Sequence, residues 1–216
     1  AIFDMDGLMF DTERVFVQAW DYAGEQLGIG KAGYMTLKTL GMNIAASREL
    51  GRQEFGERYD EEALRRYTKE FLTKYYTENK VPVKHGLYVL LRYLKIHGYQ
   101  LAVASSSPQW EVEHHLKDEF FTVIVCGDMV KHSKPDPEIY KRACELLGEK
   151  PEDCYVLEDS KSGLRSAHAA GCKPIMIPDL WQSDEETTQL LFARFDNLVE
   201  VKEYLEEQEV MTNDEN

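Results

Sequence analysis

The stretch Asp4-Met5-Asp6-Gly7-Leu8-Met9-Phe10-Asp11-Thr12-Glu13 follows a short apolar run, Ala1-Ile2-Phe3, that reads as a buried strand. Asp4 and Asp6 stand at i and i+2, which puts two side chains on one face of an extended chain. Gly7 then lets the backbone turn sharply. Paired carboxylates at a strand end repel each other unless a cation or a shared proton relieves them, so a purely structural role is a poor explanation. The same pattern recurs further along. Leu101-Ala102-Val103-Ala104 ends in Ser105-Ser106-Ser107-Pro108, and Tyr155-Val156-Leu157 ends in Glu158-Asp159-Ser160. Between them, Lys134 sits in Ser133-Lys134-Pro135-Asp136-Pro137.

Thr12 is expected to cap a helix over 12–27, with Val15, Phe16, Ala19, Trp20, Ala23 and Leu27 on one stripe. Residues 34 to 80 hold no strand pattern; their amphipathic stretches, clearest over 61–76, predict helices. From Pro82 the pattern alternates. It predicts helices over 86–96, from Pro108, over 136–147 and over 160–171, and strands over 101–104, 121–125, 154–157 and 174–177. The fold class is α/β: a Rossmann-like parallel sheet with helices on both faces, plus a small inserted all-helical cap. The core takes 1–13 and 83–216, the cap 14–82. His114 and His115, adjacent on a helix and so about 100° apart, are expected at the surface. The polar residues after Gln208 are expected to fray.

Composition narrows the partners. The 216 residues carry 25 Lys and Arg against 39 Asp and Glu, a net charge of −14, which argues against a nucleic-acid polyanion. An anionic ligand would therefore depend on a metal ion and a few placed cations. No apolar stretch approaches the roughly 20 residues of a membrane span. No basic-then-apolar leader is visible, and a start inside the first strand suggests that a few residues precede Ala1. Cys126, Cys144, Cys154 and Cys172 form no CxxC pair and read as buried thiols, hence a reducing, cytoplasmic setting. A monomer is expected.

An open parallel sheet binds ligands at the carboxyl ends of its strands. There the fold would gather Asp4, Asp6, Ser105, Glu158 and Asp159. Several acidic oxygens make a hard site suited to Mg²⁺, with waters and a ligand phosphate completing its shell. Zinc is disfavoured, because no His or Cys lies in these motifs.

Taken together, the four motifs resemble those of the haloacid dehalogenase superfamily of phosphotransferases, in the subgroup with a helical cap after the first motif. The opening DMDGLMFDTER is similar to that of its pseudouridine-5′-phosphatase-like and β-phosphoglucomutase-like members. The resemblance implies that Asp4 is the nucleophile that forms an aspartyl-phosphate and that Asp6 is the general acid/base, its backbone carbonyl a metal ligand. Asp159 would be the metal carboxylate, with Glu158 a further or outer-shell ligand. Ser105, Ser106 and Lys134 would bind the phosphate, aided by the N–H groups at the start of the Pro108 helix. Asp11 and Glu13 would orient the cap, and Phe16, Lys38, Met42 and Asn43 would set specificity. Taken singly, the serine run reads as a capping loop, Lys134 as a surface lysine and Glu158-Asp159-Ser160 as a helix start; their co-occurrence opposite DxDG outweighs those readings.

Halide- and phosphonate-cleaving branches lack the second Asp, so Asp6 points to phosphate esters. The mutase branch carries a His on the first cap helix and an Arg in the cap loop. Alignment puts Phe16 and Ile44 at those places. The expectation is a Mg²⁺-dependent phosphatase of a small sugar or nucleoside phosphate monoester, ahead of a phosphosugar mutase and, more remotely, a non-catalytic binding protein.

Overall fold

The computed structural model describes residues 1–39, 44–116 and 120–214. Strand β1 (Ile2–Phe3) lies at the middle of a parallel six-stranded sheet of order β3-β2-β1-β4-β5-β6. The other strands are β2 (Ala102–Ala104), β3 (Val123–Val125), β4 (Tyr155–Glu158), β5 (Lys173–Met176) and β6 (Ala193–Arg194). Successive strand residues point to opposite faces, and the two residues of β1 show it. Ile2 packs with Ala102, Ala104, Val125 and Val156 beneath α7 (Glu138–Leu147) and α8 (Lys161–Ala170). Phe3 packs with Val103, Leu157 and Ile175 beneath α5 (Leu87–Ile96) and α10 (Leu198–Asp214). These strands are covered on both faces, which is why they read as continuous apolar runs.

The helices α1 (Thr12–Gln26), α2 (Tyr34–Lys38), α3 (Ile44–Phe55) and α4 (Glu61–Glu78) lie between β1 and β2. Val15 and Ala19 of α1 meet Leu72 and Tyr76 of α4 in a small core of their own. A second one joins Ala32, Met35 and Phe55. The two segments that enter and leave this helical unit run side by side. The Asp11 N–H donates to the Pro82 carbonyl at 2.9 Å, the Lys84 N–H donates to the Met9 carbonyl at 2.9 Å, and Phe10 pairs with Val83 in an antiparallel bridge.

Several expectations need correction. Asp11, not Thr12, is the N-cap of α1; the Thr12 hydroxyl instead turns back to accept the Gly7 N–H at 3.2 Å. The chain stays helical beyond Gln208 to Asp214, because Val201 and Leu205 anchor α10 on the core. Two-residue β6 has no extended apolar run to announce it. His114 and His115, on α6 (Gln109–His115), are half-buried: Tyr76 stacks on His114 and meets His115 edge-on, with ring centroids 5.7 and 4.4 Å apart. Through Tyr76 of α4, the inserted helical unit covers the face of α6 expected at the surface.

Candidate active site

Connections leave β1 in one direction and β4 in the other, so the crevice at their carboxyl ends is the switch point where ligands bind in such sheets. Asp4 ends β1, and Glu158 and Asp159 end β4. All three are buried. The Lys134 ammonium reaches them from the loop before α7, donating to Asp4 Oδ1 at 2.6 Å, Glu158 Oε1 at 2.7 Å and the Ala104 carbonyl at 3.1 Å. Its side chain is only 5% exposed, so this is no surface lysine.

Glu158 is tightly held. Its Oε1 also accepts the Tyr140 hydroxyl at 2.6 Å, and its Oε2 accepts the N–H groups of Asp159 and Ser160 and the Ser160 hydroxyl at 3.0 to 3.1 Å. Gly163 makes room for it: a Cβ there would lie 1.7 Å from Glu158 Oε1. Gly7 (φ +78°) does the same for Asp159, whose Oδ2 would meet a Cβ at 2.2 Å. Either glycine replaced by alanine would collide with a carboxylate.

Three buried carboxyls face one ammonium. Burial works against the Lys134 cation, but Asp4 and Glu158 more than offset it and hold it above its usual range. Burial likewise opposes the Glu158 anion, and Lys134 with Tyr140 keeps it below. Asp4 and Asp159 are pushed well above the ordinary carboxylate range, first by burial; Lys134 opposes this at Asp4, and Glu158 reinforces it at both. Asp159 Oδ1 is buried without a hydrogen-bond partner among the described residues. One oxygen each from Asp4, Glu158 and Asp159 fall within 4.8 Å of one another. An orphaned carboxylate oxygen, an all-oxygen donor set and unbalanced negative charge fit a hard divalent cation.

Asp6 points to the other side of the crevice, where its Oδ2 accepts the Ser107 hydroxyl at 2.8 Å and the Ser105 hydroxyl at 3.2 Å. Ser106 is exposed. The N–H groups at the start of α6 are not the open anion site expected, since Asp128 takes the Gln109 N–H at 3.2 to 3.3 Å. Beside Asp6 lies a cavity of about 200 Å³ between the sheet and the helical unit. Of the expected specificity residues, Phe16 lines it. Lys38 does not; it is exposed and paired with Glu54 at 3.1 Å. Met42 and Asn43 lie outside the described residues.

Sequence reasoning reached Asp6, Glu13 and Phe16 of this cavity but not its far wall. Glu13 and Glu111 line the cavity, as do Leu72 and Tyr76 of α4. Sequence reasoning also missed Asp179, whose buried carboxylate joins Lys84 at 2.7 Å and Arg14 at 3.3 Å, tying the start of α1 to the sheet beside Asp11, which pairs with Arg14. Glu111, Leu72, Tyr76 and Asp179 belong to no local motif; only the fold assembles them.

Burial and the Asp6 charge push the Glu111 carboxyl up to about 7, and Glu13 reaches about 7 for the same two reasons plus Asp179. A carboxyl raised on folding binds its proton more tightly in the native state. Stability is therefore fully present below the ordinary value near 4.5 and falls as pH rises toward 7. Glu111→Gln is expected to match wild type at pH 5 and to be more stable at pH 8, by an amount on the order of 2–3 kcal/mol in urea unfolding. Equal stability differences at both pH values would contradict this.

The fold and the site together define a parallel α/β protein with inserted helices and a buried acidic cluster at its switch point. The chain belongs to the haloacid dehalogenase-like hydrolase family, whose model matches residues 1–177. It is 32% identical over 178 residues to a phosphorylated carbohydrates phosphatase of Thermotoga maritima, covering 81% of this chain and 82% of that one. To a probable pseudouridine-5′-phosphatase of Drosophila melanogaster it is 31% identical over 211 residues, covering 90% and 89%. The crystal structure of CbbY from Rhodobacter sphaeroides in complex with phosphate superposes with a TM-score of 0.72 at 27% identity, covering 93% of this chain and 94% of that one. The chain is a phosphoric monoester hydrolase, a phosphatase of the haloacid dehalogenase type.

Proposed function

We propose that this enzyme hydrolyses a small sugar or nucleoside phosphate monoester through an aspartyl-phosphate on Asp4, with Mg²⁺ bound. The observation that carries this reading is the buried Asp4 carboxylate held 2.6 Å from Lys134 at the switch point of the sheet. Asp4 attacks phosphorus and forms an acyl phosphate, splitting one hard displacement into two easier ones. Lys134 orients Asp4 and offsets charge on the transferring oxygens. Asp6, which Ser105 and Ser107 steer toward the leaving-group side, protonates the departing alcohol and then takes a proton from the water that hydrolyses the phosphoenzyme.

Asp4, Asp159 and the Asp6 carbonyl would hold the metal. Glu158, with both oxygens already engaged by hydrogen bonds, contributes from behind as the anchor of Lys134. Bound there, Mg²⁺ supplies positive charge that lets a phosphate dianion enter an acidic site. The core comprises 1–13 and 83–216 and the cap 14–82. Four buried free thiols favour a reducing, cytoplasmic setting, and no described helix is long and apolar enough to cross a membrane.

The metal reading predicts that EDTA abolishes activity and Mg²⁺ restores it, and that Asp159→Asn raises the Mg²⁺ midpoint at least about tenfold or removes activity. Full turnover in a metal-free preparation would refute it. Hydrolysis rather than phosphoryl return to a sugar is favoured by Phe16, which lines the cavity with a ring that can neither gate a proton nor pair with a second phosphate. In ³¹P NMR with β-glucose 1-phosphate, Mg²⁺ and a trace of the 1,6-bisphosphate, inorganic phosphate should appear first. Glucose 6-phosphate appearing faster would overturn the assignment.

A further inference from the structure

The departing alcohol must lie next to Asp6, because that carboxyl has to reach its oxygen. The cavity of about 200 Å³ beside Asp6 is therefore the space available to the leaving group. Its walls divide by chemistry. Leu72 and the ring of Phe16, 39% exposed, form an apolar side. Thr12, Ser107, Tyr76 and the carboxyls of Glu13 and Glu111 form a polar one. No Lys or Arg lines it among the described residues.

Glu111 holds the central place. It is 8% exposed and stands on α6 at the base of the cavity. Tyr76 of the cap and Ser107 of the core line the same cavity beside its carboxyl. Ser107 also donates to Asp6. A chain of polar contacts thus runs from the acid/base through Ser107 and Glu111 to the cap.

We propose that Glu111 is a specificity-determining residue that selects an uncharged, hydroxyl-bearing leaving group and excludes substrates with a second anionic group. This rests on the phosphatase reading above and deepens it to a substrate class: monophosphates of polyols or sugars, as against bisphosphates and phosphocarboxylates. A carbohydrate chain has a hydroxyl edge and a C–H face, matching carboxylate and hydroxyls opposite Phe16 and Leu72. A carboxylate or second phosphate would instead be placed against Glu111 and Glu13 with no Lys or Arg among the described lining residues to pair it, and like charges brought together in a partly desolvated site are strongly disfavoured.

The test uses two substrates that differ in one group. Glycerol 1-phosphate ends in CH₂OH where 3-phosphoglycerate ends in a carboxylate. At pH 8 with saturating Mg²⁺, the wild-type enzyme is expected to favour glycerol 1-phosphate about 100-fold in kcat/KM. Glu111→Gln should narrow that ratio at least about fivefold, chiefly by lowering KM for 3-phosphoglycerate. A wild-type enzyme that handles the two equally, or prefers 3-phosphoglycerate, overturns the inference; so does a ratio that Glu111→Gln leaves unchanged. The wild-type ratio needs no variant, so a substitution that impairs folding leaves the test standing. Wild-type hydrolysis of p-nitrophenyl phosphate separates the two levels. If it is present while the preference is absent, only the specificity inference falls; if it is absent altogether, the phosphatase reading falls with it.

Discussion

Asp4→Asn is expected to reduce turnover by at least about 10³-fold while leaving the protein folded and able to bind substrate. An amide cannot attack phosphorus at a useful rate, and neither Glu158 nor Asp6 is placed to substitute for it. Glu158 is saturated with hydrogen bonds, and Asp6 faces Ser105 and Ser107. The fold should survive because the change removes one of three clustered carboxyls, so the remaining two repel less. Stability is thus expected to hold or rise, and the loss of activity to come without loss of structure. Slow deamidation back to Asp would mimic residual activity, so mass spectrometry accompanies the rate measurement. More than a few per cent of wild-type turnover in undeamidated protein would rule out a covalent route through Asp4.

Lys134→Met moves in the opposite direction on stability. Among the described residues, Lys134 is the one cation in contact with Asp4 and Glu158, and both it and its partners are out of water. Removing one member of a buried ion pair leaves the other charge uncompensated, which typically costs about 3–5 kcal/mol. Urea unfolding at pH 8 without metal should show a loss of that order. The loss should shrink toward pH 5. Without the ammonium, Asp4 rises further above its ordinary range and Glu158 loses the partner that holds it below, so the variant's stability falls as pH rises and recovers as they take up protons. Turnover should drop by about 10²–10³-fold, as when a donor to a developing oxyanion is deleted. Lys134→Arg should not rescue it, because a planar fork does not fit a slot shaped around a single ammonium. A Lys134→Met protein as stable as wild type at pH 8 would mean that the three carboxyls do not depend on this lysine.

What could be read in the sequence followed the range of the interactions responsible. Ile2-Phe3, Ala102–Ala104 and Tyr155–Glu158 announced themselves because a strand buried on both faces must be apolar along its length. Ser160 was legible as a cap because its hydroxyl accepts an N–H only three residues on, from Gly163 at 3.1 Å. Asp4 and Asp159 could be gathered because each directly follows such a strand, whereas Lys134, in the loop before α7, was assigned from the family resemblance. The leaving-group cavity could not. Glu111 follows Trp110 on a short helix with nothing local to mark it, and Tyr76 lies on an amphipathic helix whose stripe looks like core. Only the packing of cap on core turns them toward each other. The half-buried histidines and the helical tail were misjudged for the same reason: exposure depends on what a segment docks against, and that partner is far away in sequence.

The paired segments at Asp11–Pro82 and Met9–Lys84 have a meaning beyond geometry. Because the insertion departs and returns at neighbouring backbone positions, the sheet meets it as though it were a hairpin turn, whatever its length. The entropic cost of a longer or shorter insert grows only with the logarithm of its size. Evolution can therefore rewrite the inserted helices while the sheet and its acidic crevice stay fixed. Inheritance in such a protein is modular at a junction two peptide strands wide.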